Sequence, residues 1–234
     1  MIKIYGITEK ILKLGRGNDY FSAKVEGNLG VGKSSLCIKI AYQYFKAYHY
    51  TDKEAWKLAL GCVKFKIEDI IEVYETHNYN NRKEILIIDD ASVHLSSSRW
   101  FTDRNLVSKL EALLTTGRTS VQVLLINCPQ VSRLIPFLRD ERDYRVEIKH
   151  SNEGGNAYAR LAITRTSFLY YGKSGLGSTR YKIEPSLSNE FSCKLPNWVF
   201  KLYMEERDTY KNELLTHLKD IDTIQSKKYL EEII

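Results

Sequence analysis

The sequence contains no apolar run that approaches the roughly 18 residues needed to cross a bilayer. Its first twenty residues, MIKIYGITEKILKLGRGNDY, have neither the apolar segment nor the small-residue cleavage site of a secretory signal peptide. Both absences argue against a membrane protein and against an exported one. We therefore expect a soluble, cytoplasmic protein without a membrane partner.

Cysteine and histidine are also scarce, with four and five residues respectively. The cysteines stand far apart and form no CxxC pair, and the histidines show no spacing typical of metal ligands. This pattern favours structural thiols in a reducing compartment over a disulfide framework or a zinc site. The cysteines are Cys37, Cys62, Cys128 and Cys193.

The chain does contain enough apolar material for a buried core, because 43% of its 234 residues are hydrophobic. This length fits one large domain, or a core domain with an appendage. The formal net charge of +6 suits a polyanionic partner, although many proteins without such a partner share a modest positive charge.

The first 150 residues alternate between predicted strands and predicted helices. Continuous apolar runs such as EILII and VQVLLI are typical of strands that helices cover on both faces. Apolar stripes indicate the helices, one of which has a capping box of Thr51 and Glu54. The alternation predicts an α/β fold with a parallel sheet. The predicted strands are 20–26, 84–90, 121–127 and 144–148. One predicted helix begins after Lys33, and the others lie at 52–60, 67–76, 106–114 and 130–140.

The composition changes after residue 150. Residues 151–184 are rich in Gly, Ser, Thr, Tyr and Arg, and they alternate in the manner of antiparallel strands and turns. Leu195 and Pro196 then open a long helix with an apolar stripe. The sequence thus predicts a core at 1–150, followed by a C-terminal β-hairpin region and helical appendage at 151–234.

The motif with the clearest chemistry lies between the first predicted strand and the helix after it. Gly27 to Ser34 satisfies GxxxxGK[ST], in which glycines let backbone N–H groups surround a phosphate at a helix start. Lys33 reaches the β and γ phosphates, and the Ser34 hydroxyl binds magnesium. We therefore expect a P-loop nucleotide hydrolase that uses ATP and Mg²⁺. The predicted nucleotide-binding residues are Gly27, Asn28, Leu29, Gly30, Val31, Gly32, Lys33, Ser34 and Ser35.

Polar residues end the next two buried strands. Asp89 is placed to hold Mg²⁺ through water, and Asp90 is a candidate catalytic carboxylate that polarises the attacking water. Aspartate is shorter than glutamate by roughly 1.5 Å, which predicts slow hydrolysis. The alternative role for Asp90 is to cap the following segment. Asn127 ends the next strand and is predicted to sense the γ-phosphate or to orient water.

Two arginines, Arg118 and Arg139, are candidates for an arginine finger that stabilises the charge of the transition state. Such fingers often come from a neighbouring subunit, so this hypothesis predicts a homo-oligomer. An ordinary surface charge is the alternative for each arginine.

Several stretches together resemble the P-loop ATPases of crenarchaeal spindle-shaped viruses and related plasmids, which are similar to the bacterial replication initiator DnaA. The resemblance covers most of residues 20–220, although Asn127-Cys128-Pro129 stands where the family tends to have Thr-Thr-Pro. It implies an additional-strand (AAA+) ATPase core that acts on DNA in the host cytoplasm, as an initiator, a helicase loader or a motor. The matching stretches are GNLGVGKSS at 27–35, KEAWKLAL at 53–60, IIDDASVHLSSSRW at 87–100, Arg118 to Pro129, and KLPNWVFKLYMEERDTYKNELL at 194–215.

Residues 156–182 provide a separate indication of a DNA partner. Five basic residues and five aromatic ones are interleaved there without a single acid. Such a segment can neutralise phosphates and stack on bases. The alternative is a hairpin whose aromatic residues pack on the core while its basic residues are solvated. The candidate DNA contacts are Arg160, Arg165, Lys173, Arg180 and Lys182.

The leading hypothesis is thus an oligomeric, Mg-dependent ATPase of the DnaA-like kind, acting as a replication initiator or helicase loader. One alternative is a DNA-translocating or packaging ATPase of the FtsK and HerA kind. A small-molecule kinase and a nucleotide-gated binding module without turnover are the others. ATP turnover measured with and without DNA separates most of these readings.

Overall fold

The computed structural model describes residues 5–15, 19–93, 95, 104–135, 138, 144–150, 156–167, 178–183 and 189–231. The chain divides into two compact units, Met1–Lys194 and Leu195–Ile234.

The first unit alternates between helices and strands in its first part and continues with strands alone. Its helices are α1 (Gly6–Gly15), α2 (Lys33–Ala47), α3 (Asp52–Gly61), α4 (Ile67–Thr76) and α5 (Arg104–Thr116). Its strands are β1 (Phe21–Glu26), β2 (Val63–Lys64), β3 (Lys83–Ile88), β4 (Val121–Cys128), β5 (Tyr144–His150), β6 (Asn156–Ser167), β7 (Ser178–Ile183) and β8 (Asn189–Ser192). The second unit contains the 35-residue helix α6 (Asn197–Glu231).

Five parallel strands form the centre of the sheet in the order β2-β3-β4-β1-β5. The strand β4 therefore lies between β1 and β3. The register pairs Val25 with Asn127 and Ile88 with Ile126, so the carboxyl ends of β1, β4 and β3 meet at one edge. The predicted α/β fold with a parallel sheet flanked by helices is confirmed.

The central strands and the helices follow from local sequence signals. Residues 85–88 and 123–126 are buried on both sides, as their continuous apolar character predicted. The predicted capping box is present at the start of α3. There, the Thr51 Oγ1 accepts the Glu54 N–H at 3.4 Å, and the Glu54 carboxylate accepts the Thr51 N–H at 3.0 Å.

Antiparallel strands extend the same sheet beyond β5. Strand β6 pairs with β5 from Tyr144↔Ile163 to His150↔Ala157, and it pairs with β7 and β8 on its other side. The predicted division at residue 150 therefore falls inside one continuous sheet, and the structure places the division between Lys194 and Leu195 instead.

The helix predicted at 130–140 is wrong over the first residues of that range. Val131–Arg133 forms a single 3₁₀ turn, and Leu134 is extended. The Val131 N–H bonds the Glu26 carboxylate at 3.3 Å. The Ile135 N–H bonds the Leu95 carbonyl at 2.9 Å instead of the Val131 carbonyl, which would accept it in an α-helix. This tertiary bond replaces a local bond that a helix needs.

The long C-terminal helix starts where Pro196 predicted it. Proline is well tolerated in a first helical turn, and the Phe200 N–H bonds the Pro196 carbonyl at 2.9 Å. Within the described ranges, no helix is both long enough and apolar enough to span a membrane.

Candidate functional site

The segment predicted to bind phosphate connects β1 to α2 at the carboxyl edge of the sheet. Gly27, Gly30 and Gly32 have φ angles of 154°, 79° and 90°, which side chains rarely adopt. Helix α2 begins at Lys33, and none of the described side chains caps it at Gly32. Its first N–H groups, with the positive end of the helix dipole, thus point at the space above the loop.

Lys33 lies across the mouth of this loop. Its Nζ donates to the carbonyl oxygens of Gly27 at 2.9 Å and Asn28 at 2.8 Å. Burial lowers the pKa of Lys33, while the nearby carboxylates of Asp90 and Asp89 act in the opposite direction. The Lys33 ammonium is partly desolvated and is held only by neutral carbonyl groups. Its interaction with an anion, such as a phosphate, would therefore be strongly favourable.

Ser34, Asp89 and Asn127 meet in one hydrogen-bonded cluster. The Ser34 Oγ donates to Asp89 Oδ1 at 3.0 Å, and the Asn127 Nδ2 donates to Ser34 Oγ at 3.0 Å and to Asp89 Oδ1. Asp89 and Asn127 are both only 1% exposed. The structure therefore brings together the two predicted metal residues and the predicted phosphate sensor from three separate segments.

The Asn127 Oδ1 is a buried acceptor without a hydrogen-bond partner among the described residues. Buried polar atoms are normally satisfied, so this oxygen is an exception to be explained. The Asn127 amide presents its NH2 group, not this oxygen, to Ser34 and Asp89. The hydroxyl and carboxylate oxygens of those two residues are of the types that Mg²⁺ and its bound water prefer, so they fit a magnesium ion.

Asp90 turns the chain sharply at the end of β3. Its φ angle is 49°, a left-handed conformation that aspartate tolerates better than most residues, and its N–H bonds Asp89 Oδ1 at 3.0 Å. The next N–H, of Ala91, bonds the Asn127 carbonyl at 2.9 Å. Asp90 is half-buried at the same edge as the cluster.

The arginine candidates are not brought to this cluster within the described chain. Arg118 is exposed in a 3₁₀ turn, Gly117–Thr119, that precedes β4. It lies at the opposite edge of the sheet, roughly 25 Å along β4 from Asn127. Arg139 lies outside the described residues.

The candidate DNA contacts lie mostly on the antiparallel extension, where a hairpin was predicted. Arg165 stands opposite Arg180 and Lys182 opposite Ile163 in the β6–β7 pair, and Arg160 stands opposite Glu147 of β5. Lys173 lies outside the described residues. The two described strands pair in the antiparallel manner that a hairpin needs.

Sequence reasoning missed a charged cavity beside the phosphate loop. Glu26 and Arg145 form an ion pair there, and the cavity has a volume of about 470 Å³. The sequence does contain one indication of this ion pair, since the predicted strands YFSAKVE and YRVEI each include charged residues. The lining residues are Glu26, Gly27, Asn28, Val31, Pro129, Gln130, Arg145, Glu147, Ile148 and Lys149.

The end of β8 packs against the phosphate loop, which sequence reasoning also missed. The Cys193 Sγ contacts the Val31 carbonyl oxygen at 3.5 Å. All four cysteines are free, and burial raises the pKa of Cys62 and Cys128 to about 12, which disfavours their thiolate forms.

Replacing Gly32 by alanine is expected to destabilise the protein more than replacing Gly30. Both positions have a positive φ, so each alanine costs about 1 kcal/mol of backbone strain. A Cβ at Gly32 would lie 2.6 Å from Cys193 Sγ, whereas none of the described atoms is within 4 Å of a Cβ at Gly30. The clash should destabilise Gly32→Ala by a further amount of about 1–3 kcal/mol, as expected for overpacking. The free energy of urea unfolding of the nucleotide-free protein measures this difference.

Cys193→Ala is the matched background for this comparison. Removing the thiol should reduce the difference in unfolding free energy between Gly32→Ala and Gly30→Ala. Equal destabilisation by Gly32→Ala and Gly30→Ala would contradict the packing of β8 against the loop.

Comparison with known proteins gives one informative relative. No protein-family model matches the chain. The chain is 24% identical over 217 residues to uncharacterized protein B-251 of Sulfolobus spindle-shape virus 1, across 91% of this chain and 83% of the viral protein. This similarity supports the viral origin that the sequence resemblance implied.

Proposed function

We propose that the chain is a P-loop ATPase that binds ATP with Mg²⁺ at residues 27–35 and hydrolyses it. The observation that carries the proposal is the convergence of Lys33, Ser34, Asp89 and Asn127 at one edge of the sheet. These residues come from three distant segments, and packing alone does not require polar groups of these types to meet there.

The loop supports phosphate binding through its backbone and its lysine. Gly30 faces open space and Leu29 is 79% exposed, so the outer surface of the loop is accessible to a ligand. The N–H groups at the start of α2 and the Lys33 ammonium then face the same ligand. Together they form a nest for a di- or triphosphate.

Ser34 and Asp89 would hold the metal, and the Asn127 amide nitrogen donates to both of them. Magnesium supplies charge neutralisation on the β and γ phosphates when bound. Asp89 is oriented by three donors, namely the Ser34 hydroxyl, the Asn127 amide and the Asp90 N–H. These bonds fix its carboxylate beside the loop before any ligand arrives.

Asp90 is the candidate to orient and deprotonate the attacking water. The left-handed turn keeps this residue at the carboxyl edge beside the Asp89 cluster. Because its side chain is shorter than that of glutamate, we expect turnover to be slow.

The strand order supports the additional-strand class of ATPases. Strand β4, which contains Asn127, is inserted between the strand that leads into the phosphate loop and the strand that leads to Asp89. This insertion sets Asn127 directly beside both functional segments.

The biological role that we propose is DNA-directed, in the manner of a DnaA-like replication initiator or helicase loader. The basic residues of the paired strands β6 and β7 support it. A homo-oligomer belongs to the same proposal, because Arg118 lies at the opposite edge from the site of its own subunit and would need a neighbouring subunit to act as an arginine finger.

ATP turnover by the purified full chain tests the proposal. We expect hydrolysis that requires Mg²⁺, stops with a chelator and rises with single- or double-stranded DNA. Absence of both nucleotide binding and turnover overturns the proposal. Binding without turnover overturns the hydrolytic part and leaves a nucleotide-gated module, and movement along duplex DNA favours a translocating motor.

The double variant Lys173→Ala/Arg180→Ala is expected to weaken DNA binding and its salt dependence. Each lost phosphate contact removes about 0.9 from the slope of log affinity against log salt, so the slope should fall by up to about 2. Fluorescence anisotropy over a salt series measures it.

The matched control is Lys53→Ala/Lys57→Ala, which removes two exposed lysines from α3 and leaves the hairpin intact. An equal loss of DNA affinity in both double variants would show that only the net charge of the protein matters. Unchanged affinity and slope in the hairpin variant would make the hairpin a structural element.

A further inference from the structure

Arg145 of β5 is tied to a buried carboxylate at the root of the phosphate loop. Its Nε and Nη2 both contact Glu26 Oε1, and Glu26 Oε2 accepts the Val131 N–H at 3.3 Å. The Glu26 side chain is 9% exposed and the Arg145 side chain 31%. Glu26 is thus fixed from two sides, while the guanidinium still reaches the cavity.

The cavity adjoins the part of the loop to which Lys33 reaches. Gly27 and Asn28 line the cavity, and their carbonyl oxygens are the acceptors of the Lys33 ammonium. A phosphate-loop lysine contacts the β and γ phosphates, so the terminal phosphate would lie on the side of this cavity.

A guanidinium suits a position between two oxyanions. It has five N–H donors in a planar fork, so one arginine can hold a carboxylate and a phosphate oxygen together. The other two charges of the cavity are already matched, because Lys149 Nζ lies 3.2 Å from Glu147 Oε1. Arg145 is therefore the cation in this cavity with an anchored partner next to the loop.

We propose that Arg145 distinguishes ATP from ADP by contacting the terminal phosphate in its own subunit, with Glu26 as the carboxylate that competes for it. This inference rests on the proposed nucleotide site. When a triphosphate binds, the guanidinium shares its donors between Glu26 and the terminal phosphate. Since Glu26 also holds the Val131 N–H, the segment after β4 responds to the same event.

The affinities for Mg-ATP and Mg-ADP in charge-removing variants test this assignment. Arg145→Met should reduce the preference for ATP over ADP about tenfold, because a hydrogen bond between charged groups is lost. Glu26→Gln should shift the preference in the opposite direction, because the competing charge is removed. Arg104→Met, which removes an exposed arginine at the start of α5, should leave the ratio unchanged.

A merely structural ion pair predicts a different pattern. Both variants would then melt at lower temperature and weaken ATP and ADP equally, and this result overturns the inference. If Arg145→Met does not fold, Arg145→Gln replaces it, because glutamine is neutral but can still donate a hydrogen bond to Glu26. The same ratio of ATP to ADP affinity is then measured. A wild-type chain that binds neither nucleotide overturns the proposed function as well, whereas normal binding with an unchanged ratio in the Arg145 variants overturns this inference alone.

Discussion

Lys33→Ala is expected to abolish measurable ATP hydrolysis and to weaken ATP binding by at least about 100-fold. The ammonium is the mobile cation of the loop, and each bond between charged groups contributes about 1.5–3 kcal/mol. Its loss leaves the β and γ phosphates facing Asp89 and Asp90 without this compensating charge. Nucleotide binding by calorimetry and phosphate release measure the two effects.

The fold should survive this substitution. Burial lowers the pKa of Lys33, which means that the charged form is disfavoured where it lies. The substitution removes this unfavourable burial together with the two hydrogen bonds to Gly27 and Asn28, so the melting temperature of the nucleotide-free protein should change little. Lys57→Ala on α3, an exposed position, is the control. Unchanged turnover in a folded Lys33→Ala protein would remove the site assignment.

Asp89→Ala and Asp90→Asn are expected to fail in different ways. Asp89 is buried and accepts bonds from Ser34 and Asn127, so its loss should weaken Mg-dependent ATP binding. Asp90 is half-buried at the rim, and its amide variant should bind ATP almost normally. Hydrolysis should slow roughly 100-fold if this carboxylate takes the proton from water.

The two variants are distinguished by titrating Mg²⁺ in both the binding and the turnover assay. High Mg²⁺ should partly rescue binding by Asp89→Ala, whereas it should not restore the rate of Asp90→Asn. Equal loss of ATP affinity in both variants would show that Asp90 has no separate catalytic role.

Local signals predicted most of the fold and the centre of the site. The runs before Asp89 and Asn127 are apolar and bounded by polar residues, and the carboxyl ends of parallel strands meet at one edge. The glycine pattern before Lys33 predicted the loop because only a few backbone conformations surround a phosphate.

The missed features depend on contacts between distant segments. Glu26 and Arg145 are 119 positions apart, and no periodicity relates them. The Ile135 N–H bonds the carbonyl of the distant Leu95, and this bond interrupts the helix that the sequence predicted at 130–140. The four-residue β8 is too short for a pattern, and it exists because β6 offers an edge to pair with.

The packing of Cys193 against Val31 sets an order of events during synthesis of the chain. The two residues are 162 positions apart, so the phosphate loop leaves the ribosome long before the segment that packs against it. At about 5–20 residues per second, this delay is roughly 10–30 s. A nascent chain in that interval has the Lys33 loop without its β8 support. On the proposed function, nucleotide can stabilise the complete site only after nearly all of the first unit has been translated.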